Sequence, residues 1–203
     1  MTKKFFFILA VGATLFWGTP ARALLLPYMT TDELVANANT VVLGKCLSFH
    51  YHPDVDGKTL YAIIQFKVDE YLKNDLGKDE ILLMQIAREE DRDGTRKLGD
   101  VSFKLDEEAI LFLTEEDNQG FRHVMGLPQG KFAIRQNQKG ERVITRDLTK
   151  VQLFNRKTGE ISKAKPTHEE KNLEAFRREL KVIASQLLAK KQNIVLINPN
   201  RSP

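Results

Sequence analysis

The stretch Val41–Tyr71, VVLGKCLSFHYHPDVDGKTLYAIIQFKVDEY, decides the fold. Val41 to His50 is rich in residues that suit a pleated strand. His52-Pro53-Asp54-Val55-Asp56-Gly57-Lys58 is dense in turn formers. From Thr59 to Tyr71 the apolar residues Tyr61, Ile63, Ile64, Phe66 and Val68 come close to alternation. Two strand-like runs around a turn predict a long antiparallel hairpin.

The same grammar continues toward the C-terminus. Ile81 to Ala87 is a compact apolar strand, and a charged loop from Arg88 to Gly99 follows. Ala109-Ile110-Leu111-Phe112-Leu113 is apolar throughout, as a strand buried on both faces would be. Glu115 to Gly120 turns the chain, Phe121 to Met125 pairs back, and Gly130 to Ile134 starts another strand. Asn137-Gln138-Lys139-Gly140 is a turn with Val143-Ile144-Thr145 as its partner strand. Short strands between regular turn signals predict a mainly β domain, a five- to seven-stranded antiparallel barrel or a sandwich. No long helix interrupts them, which argues against a parallel α/β sheet.

A helix is expected at each end of this domain. Thr30 with Glu33 has the spacing of a capping box and predicts a short helix to about Ala38. Thr167 with Glu170 repeats that spacing. Beyond it Leu173, Phe176, Leu180, Ile183 and Leu187 fall on one helical stripe, predicting a long amphipathic helix to about Lys191. The stripe either docks on the domain's own strands or serves as a seam for a second copy or a partner protein. The expected organisation is 24–165 for the β domain and 166–203 for the helix and tail.

Residues 1–23, MTKKFFFILAVGATLFWGTPARA, read as an export signal. Lys3 and Lys4 precede an apolar stretch from Phe5 to Trp17, and Ala21-Arg22-Ala23 offers the small-x-small cleavage pattern. The alternative, an uncleaved membrane anchor, is opposed by the length of that stretch, since a span takes about 20 residues. Cleavage after Ala23 would leave a periplasmic or secreted chain with no transmembrane anchor. It would also remove Lys3, Lys4 and Arg22 and no acidic residue. The 31 basic and 27 acidic residues then become 28 and 27, a balance that gives nucleic acid no claim as a partner. The lone Cys46 cannot close an internal disulfide, so packing must hold the fold. It is either a buried inert thiol or a link between chains.

Four segments carry a family likeness: Val41-Val42-Leu43-Gly44-Lys45, Ala62-Ile63-Ile64-Gln65-Phe66-Lys67-Val68-Asp69-Glu70-Tyr71-Leu72-Lys73, Ala109-Ile110-Leu111-Phe112-Leu113 and Gln129-Gly130-Lys131-Phe132. In that order they resemble the netrin-like, tissue-inhibitor-of-metalloproteinases-like (TIMP-like) OB-fold proteins exported by bacteria. The resemblance covers roughly half the chain and implies a partly open, five-stranded Greek-key barrel with helices at its end. Inhibitors of that superfamily chelate a protease's zinc through an N-terminal cysteine. Here the expected mature terminus is Leu24-Leu25-Leu26-Pro27 and Cys46 is internal, so that mechanism does not transfer.

Two functional readings follow. The first is a non-enzymatic envelope protein that binds another envelope or secreted protein, such as a protease, through the stripe Leu173, Phe176, Leu180, Ile183 and Leu187. The second is a metal-binding or hydrolytic protein built on His50, His52 and Asp54. Along an extended strand His50 and His52 project from one face, and with a carboxylate they suit zinc or copper. The competing reading of that stretch is a solvated hairpin tip. Asp54-x-Asp56-Gly57 opens like a calcium loop, but its twelfth position is Gln65 where a bidentate Glu belongs. The acidic run Glu89-Glu90-Asp91-Arg92-Asp93-Gly94 is a second calcium candidate, set against a solvated loop. Tyr61, Phe66, Phe121 and Phe132 are expected in the core rather than on a ligand face.

Overall fold

The computed structural model describes residues 24–55, 57, 59–87, 101–148, 151–163 and 170–197. The expected export signal, the acidic run at 89–94 and the Thr167 cap lie outside them. The chain is mainly β. In order it forms β1 (Leu24–Pro27), α1 (Thr31–Asn37), β2 (Thr40–Pro53), β3 (Leu60–Lys73), β4 (Glu80–Ala87), β5 (Glu108–Leu113), a 3-10 turn (Leu127–Gly130), β6 (Lys131–Gln136), β7 (Arg142–Thr145), β8 (Val151–Phe154), β9 (Ile161–Lys163), β10 (Lys171–Asn172) and α2 (Leu173–Ile197). Among the described residues no helix is long and apolar enough to cross a membrane.

The hairpin forms as expected, with β2 and β3 paired antiparallel from Val41↔Lys73 to Pro53↔Leu60. Around it lies a seven-stranded antiparallel sheet in the order β10-β7-β6-β5-β2-β3-β4. The expected barrel does not close: the sheet keeps two ends, β10 and β4. The physical reason is the chain from Phe121 to Met125. It makes only two isolated bridges, Leu83↔Arg122 and Leu113↔Val124, before Gly126 takes a left-handed turn into the 3-10 segment. A second sheet, β1-β8-β9, was not anticipated, and in it β1 runs parallel to β8.

The strand β5 and the first part of β2, Thr40 to Gly44, are buried on both faces. Val41, Leu43, Ile110 and Phe112 face one core together with α1 and α2. Val42, Cys46, Ala109, Leu111 and Leu113 face a second core inside the curl of β2, β3 and β4. Two-sided burial explains why both strands read as continuous apolar runs rather than alternating ones.

Each helix is tied to the sheet by specific groups. Thr30 and Glu33 make the reciprocal capping box at the start of α1. Lys73 of β3 donates to the carbonyls of Val35 and Ala38 at its end, where a cation is favoured. The α2 helix begins at Leu173 rather than near Thr167. Lys171 and Asn172 are held extended against Ile144 and Val143, and the Asn172 side chain accepts from the Ala175 N–H at 3.1 Å as the cap. The run Gln129-Gly130-Lys131-Phe132 joins the layers. Gln129 is buried and uses both ends of its amide, donating to the Pro27 carbonyl and accepting from the Met29 N–H. Lys131 pairs with Glu107 at 2.5 Å, and Phe132 packs between Phe112 and Phe176.

Candidate ligand cleft beside β4

A cleft of about 380 Å³ opens beside β4. Ile64 of β3, Leu83 of β4, Val101 and Phe103, and Val124 and Leu127 supply its apolar lining. This volume and lining fall within the range of small-ligand and side-chain pockets. Beyond the single Arg122 bridge, the outer edge of β4 pairs with no strand among the described residues. Leu82 and Ile86 are exposed along it.

The polar groups at the cleft hold its walls together. His123 Nδ1 lies 2.7 Å from the Met84 carbonyl oxygen, so the hydrogen-bonding tautomer carries its proton there. Its Nε2 faces Asp117 Oδ2 at 3.3 Å. Asp117 is held below the usual carboxylate range, chiefly by the Phe121 N–H, with Gln119 N–H and His123 adding to the effect against partial burial. Gln85 donates to the Val101 carbonyl at 3.2 Å. Arg122, buried behind this wall, donates to Asn39 Oδ1 at 2.9 Å and to the Thr114 carbonyl at 2.7 Å. Arg122 Nε is buried without a hydrogen-bond partner, and the cleft's own lining offers a ligand mainly apolar surface.

The sequence candidates fall elsewhere. His50, His52 and Asp54 are exposed near the far end of β2. Among the described residues no three His, Cys, Asp or Glu side chains gather as a metal site. The α2 stripe divides. Leu173, Phe176 and Leu180 are each 1% exposed in the chain's own core, so they present no surface to a partner. Ile183 and Leu187 are partly buried beside α1, lining a shallow groove with Ala36. Cys46 is fully buried, its thiol turned toward the Ser48 carbonyl. Phe66 and Phe132 are core residues as expected, whereas Tyr61 reaches the cleft.

Sequence reasoning did not single out Arg122 or His123. The available signal was one imidazole and one guanidinium inside a short apolar run, Phe121 to Met125. Comparison with family models, with curated proteins and with solved structures finds no match to this chain.

Proposed function

We propose that the chain is an exported, non-enzymatic binding protein whose β4 edge and adjoining cleft take up an extended segment of another envelope or secreted protein. The observation that carries this reading is the coincidence of an apolar cleft with the Ile86 end of the β4 edge, which pairs with no strand among the described residues. The middle of that edge is taken by Arg122 and His123: the Arg122 N–H donates to the Leu82 carbonyl, the Met84 N–H to the Arg122 carbonyl and the His123 ring to the Met84 carbonyl. A strand edge supplies backbone donors and acceptors for an added strand, and neighbouring pockets select its side chains. Exposed Leu82 and Ile86 flank that edge, and Ile86 also lines the cleft. Export rests on the pattern of residues 1–23.

The OB-like, TIMP-like resemblance fits the same reading. The segment 121–125 lies between β4 and β5 and is joined to each by a single isolated bridge, Leu83↔Arg122 and Leu113↔Val124. The strands β2, β3, β4 and β5 are thus arranged as an open ring that these bridges do not close into a sheet. A partly open five-stranded barrel needs such a ring.

The test uses a display library of ten-residue peptides against the untagged protein. Selected peptides should alternate apolar and polar residues and slow amide exchange at Ile86. Ile86→Asp should weaken them about tenfold or more, as expected when an anchor in an apolar contact is lost. Peptides that bind Ile86→Asp and wild type equally would overturn the reading.

A further inference from the structure

We propose that His50 and His52 form a two-imidazole chelate for a divalent transition metal, copper(II) in preference to zinc(II), on the outer face of the β2–β3 hairpin. The observation behind it is a slip in register. Cys46 pairs with Phe66, but Ser48 pairs with Gln65, so Leu47 is an extra residue in β2. Such a bulge moves every later side chain to the opposite face. Without it Cys46, Ser48, His50 and His52 would share one face, and Cys46 lies in the core. With it Tyr51 turns inward opposite Ala62, and His50 and His52 turn outward opposite Ile63 and Tyr61.

From Ser48↔Gln65 to Pro53↔Leu60 the pairing has no further shift, so the strand is regular under both histidines. Their Cα atoms are therefore about 6.6 Å apart, two strand steps, with both side chains on one face. Both residues are exposed. The β5 strand pairs with β2 only from Thr40 to Lys45, so solvent reaches this end of β2 from its open side. Asp54 is drawn into the loop, where its Oδ1 accepts from the Val55 N–H at 2.7 Å. The site is thus a pair of imidazoles with remaining positions for water. Imidazole nitrogen suits copper and zinc alike, and for a given ligand set copper(II) binds more tightly.

Copper(II) and zinc(II) titrations of the untagged protein, followed by calorimetry and by the nitrogen couplings in the copper electron-spin spectrum, test the proposal. One copper per chain with two imidazole nitrogens is expected, and zinc should bind more weakly. His50→Ala and His52→Ala should each lower copper affinity about tenfold or more, as loss of one of two ligands implies. Both side chains are exposed and lie outside the packed cores, so the variants should fold. If either strand variant keeps the wild-type isotherm, or the spectrum shows a single nitrogen, the chelate is not formed.

Discussion

Gly44 of β2 stands so close to β3 that a Cβ added to it would lie 1.9 Å from the Lys67 carbonyl oxygen and 2.8 Å from the Phe66 ring. Backbone oxygen cannot move aside without breaking the ladder, so Gly44→Ala should cost about 3 kcal/mol or more. Gly140 makes the contrast. It sits at φ +77° in an open turn with nothing within 4 Å of an added Cβ. Gly140→Ala should therefore cost only its left-handed backbone, about 1–2 kcal/mol. Urea unfolding of both variants, compared at unchanged slope, separates a steric from a conformational penalty.

The α2 helix should show a sharp divide between its faces. Phe176 is 1% exposed and its ring centroid lies 4.8 Å from that of Phe132. Phe176→Ala should destabilise by about 3–5 kcal/mol through lost contacts and an unfilled cavity. Leu188 is exposed on the same helix, and Leu188→Ala should stay within about 0.5 kcal/mol of wild type. Thermal unfolding decides it. Equal effects would mean that α2 is not docked on the sheet.

Asn172 is the residue whose loss should loosen the start of α2. Its side chain accepts from the Ala175 N–H, and Asn172→Ala should cost about 1 kcal/mol. Amide exchange at Ala175 should accelerate in that variant while exchange in β3 stays unchanged. An unaltered rate at Ala175 would remove Asn172 as the cap.

That cap also shows what the sequence could and could not disclose. The Thr30–Glu33 box was legible because everything it needs lies within four residues. The Thr167–Glu170 spacing was equally legible, yet the helix starts at Leu173, because a tertiary pairing with β7 keeps Lys171 and Asn172 extended. Hairpin periodicity disclosed β2 and β3, but the bulge at Leu47 goes with one core taking both Cys46 and Tyr51. No local pattern encodes that. The parallel pair β1–β8 joins residues more than a hundred positions apart, beyond the reach of any local signal. The cleft was missed for a related reason: its lining comes from β3, β4, the approach to β5 and the 121–127 turn. None of these segments looks unusual alone. The α2 stripe was read correctly as a pattern, and only packing could decide that Leu173, Phe176 and Leu180 are used internally.

Glu70 should make the stability of the fold depend on pH. Its carboxylate on β3 receives Lys181 at 2.6 Å and Arg177 still more closely, and both donors come from α2. Burial pushes the carboxyl up, but the hydrogen bonds from Lys181 and Arg177 outweigh it and hold the group below its ordinary value of 4.5. A carboxylate with a lowered folded-state value contributes stability that is complete above the unfolded value. That stability is lost as pH falls through the folded value. Lys181 is half exposed, so its share is screened, and the whole contribution should be about 1 kcal/mol. Glu70→Gln should therefore be less stable than wild type by about that amount at pH 7. The gap should begin to close below pH 4.5 and vanish in stronger acid. Urea midpoints for both proteins between pH 7 and pH 3 supply the test. A gap that stays constant across that range would show that Glu70 contributes by shape rather than by charge.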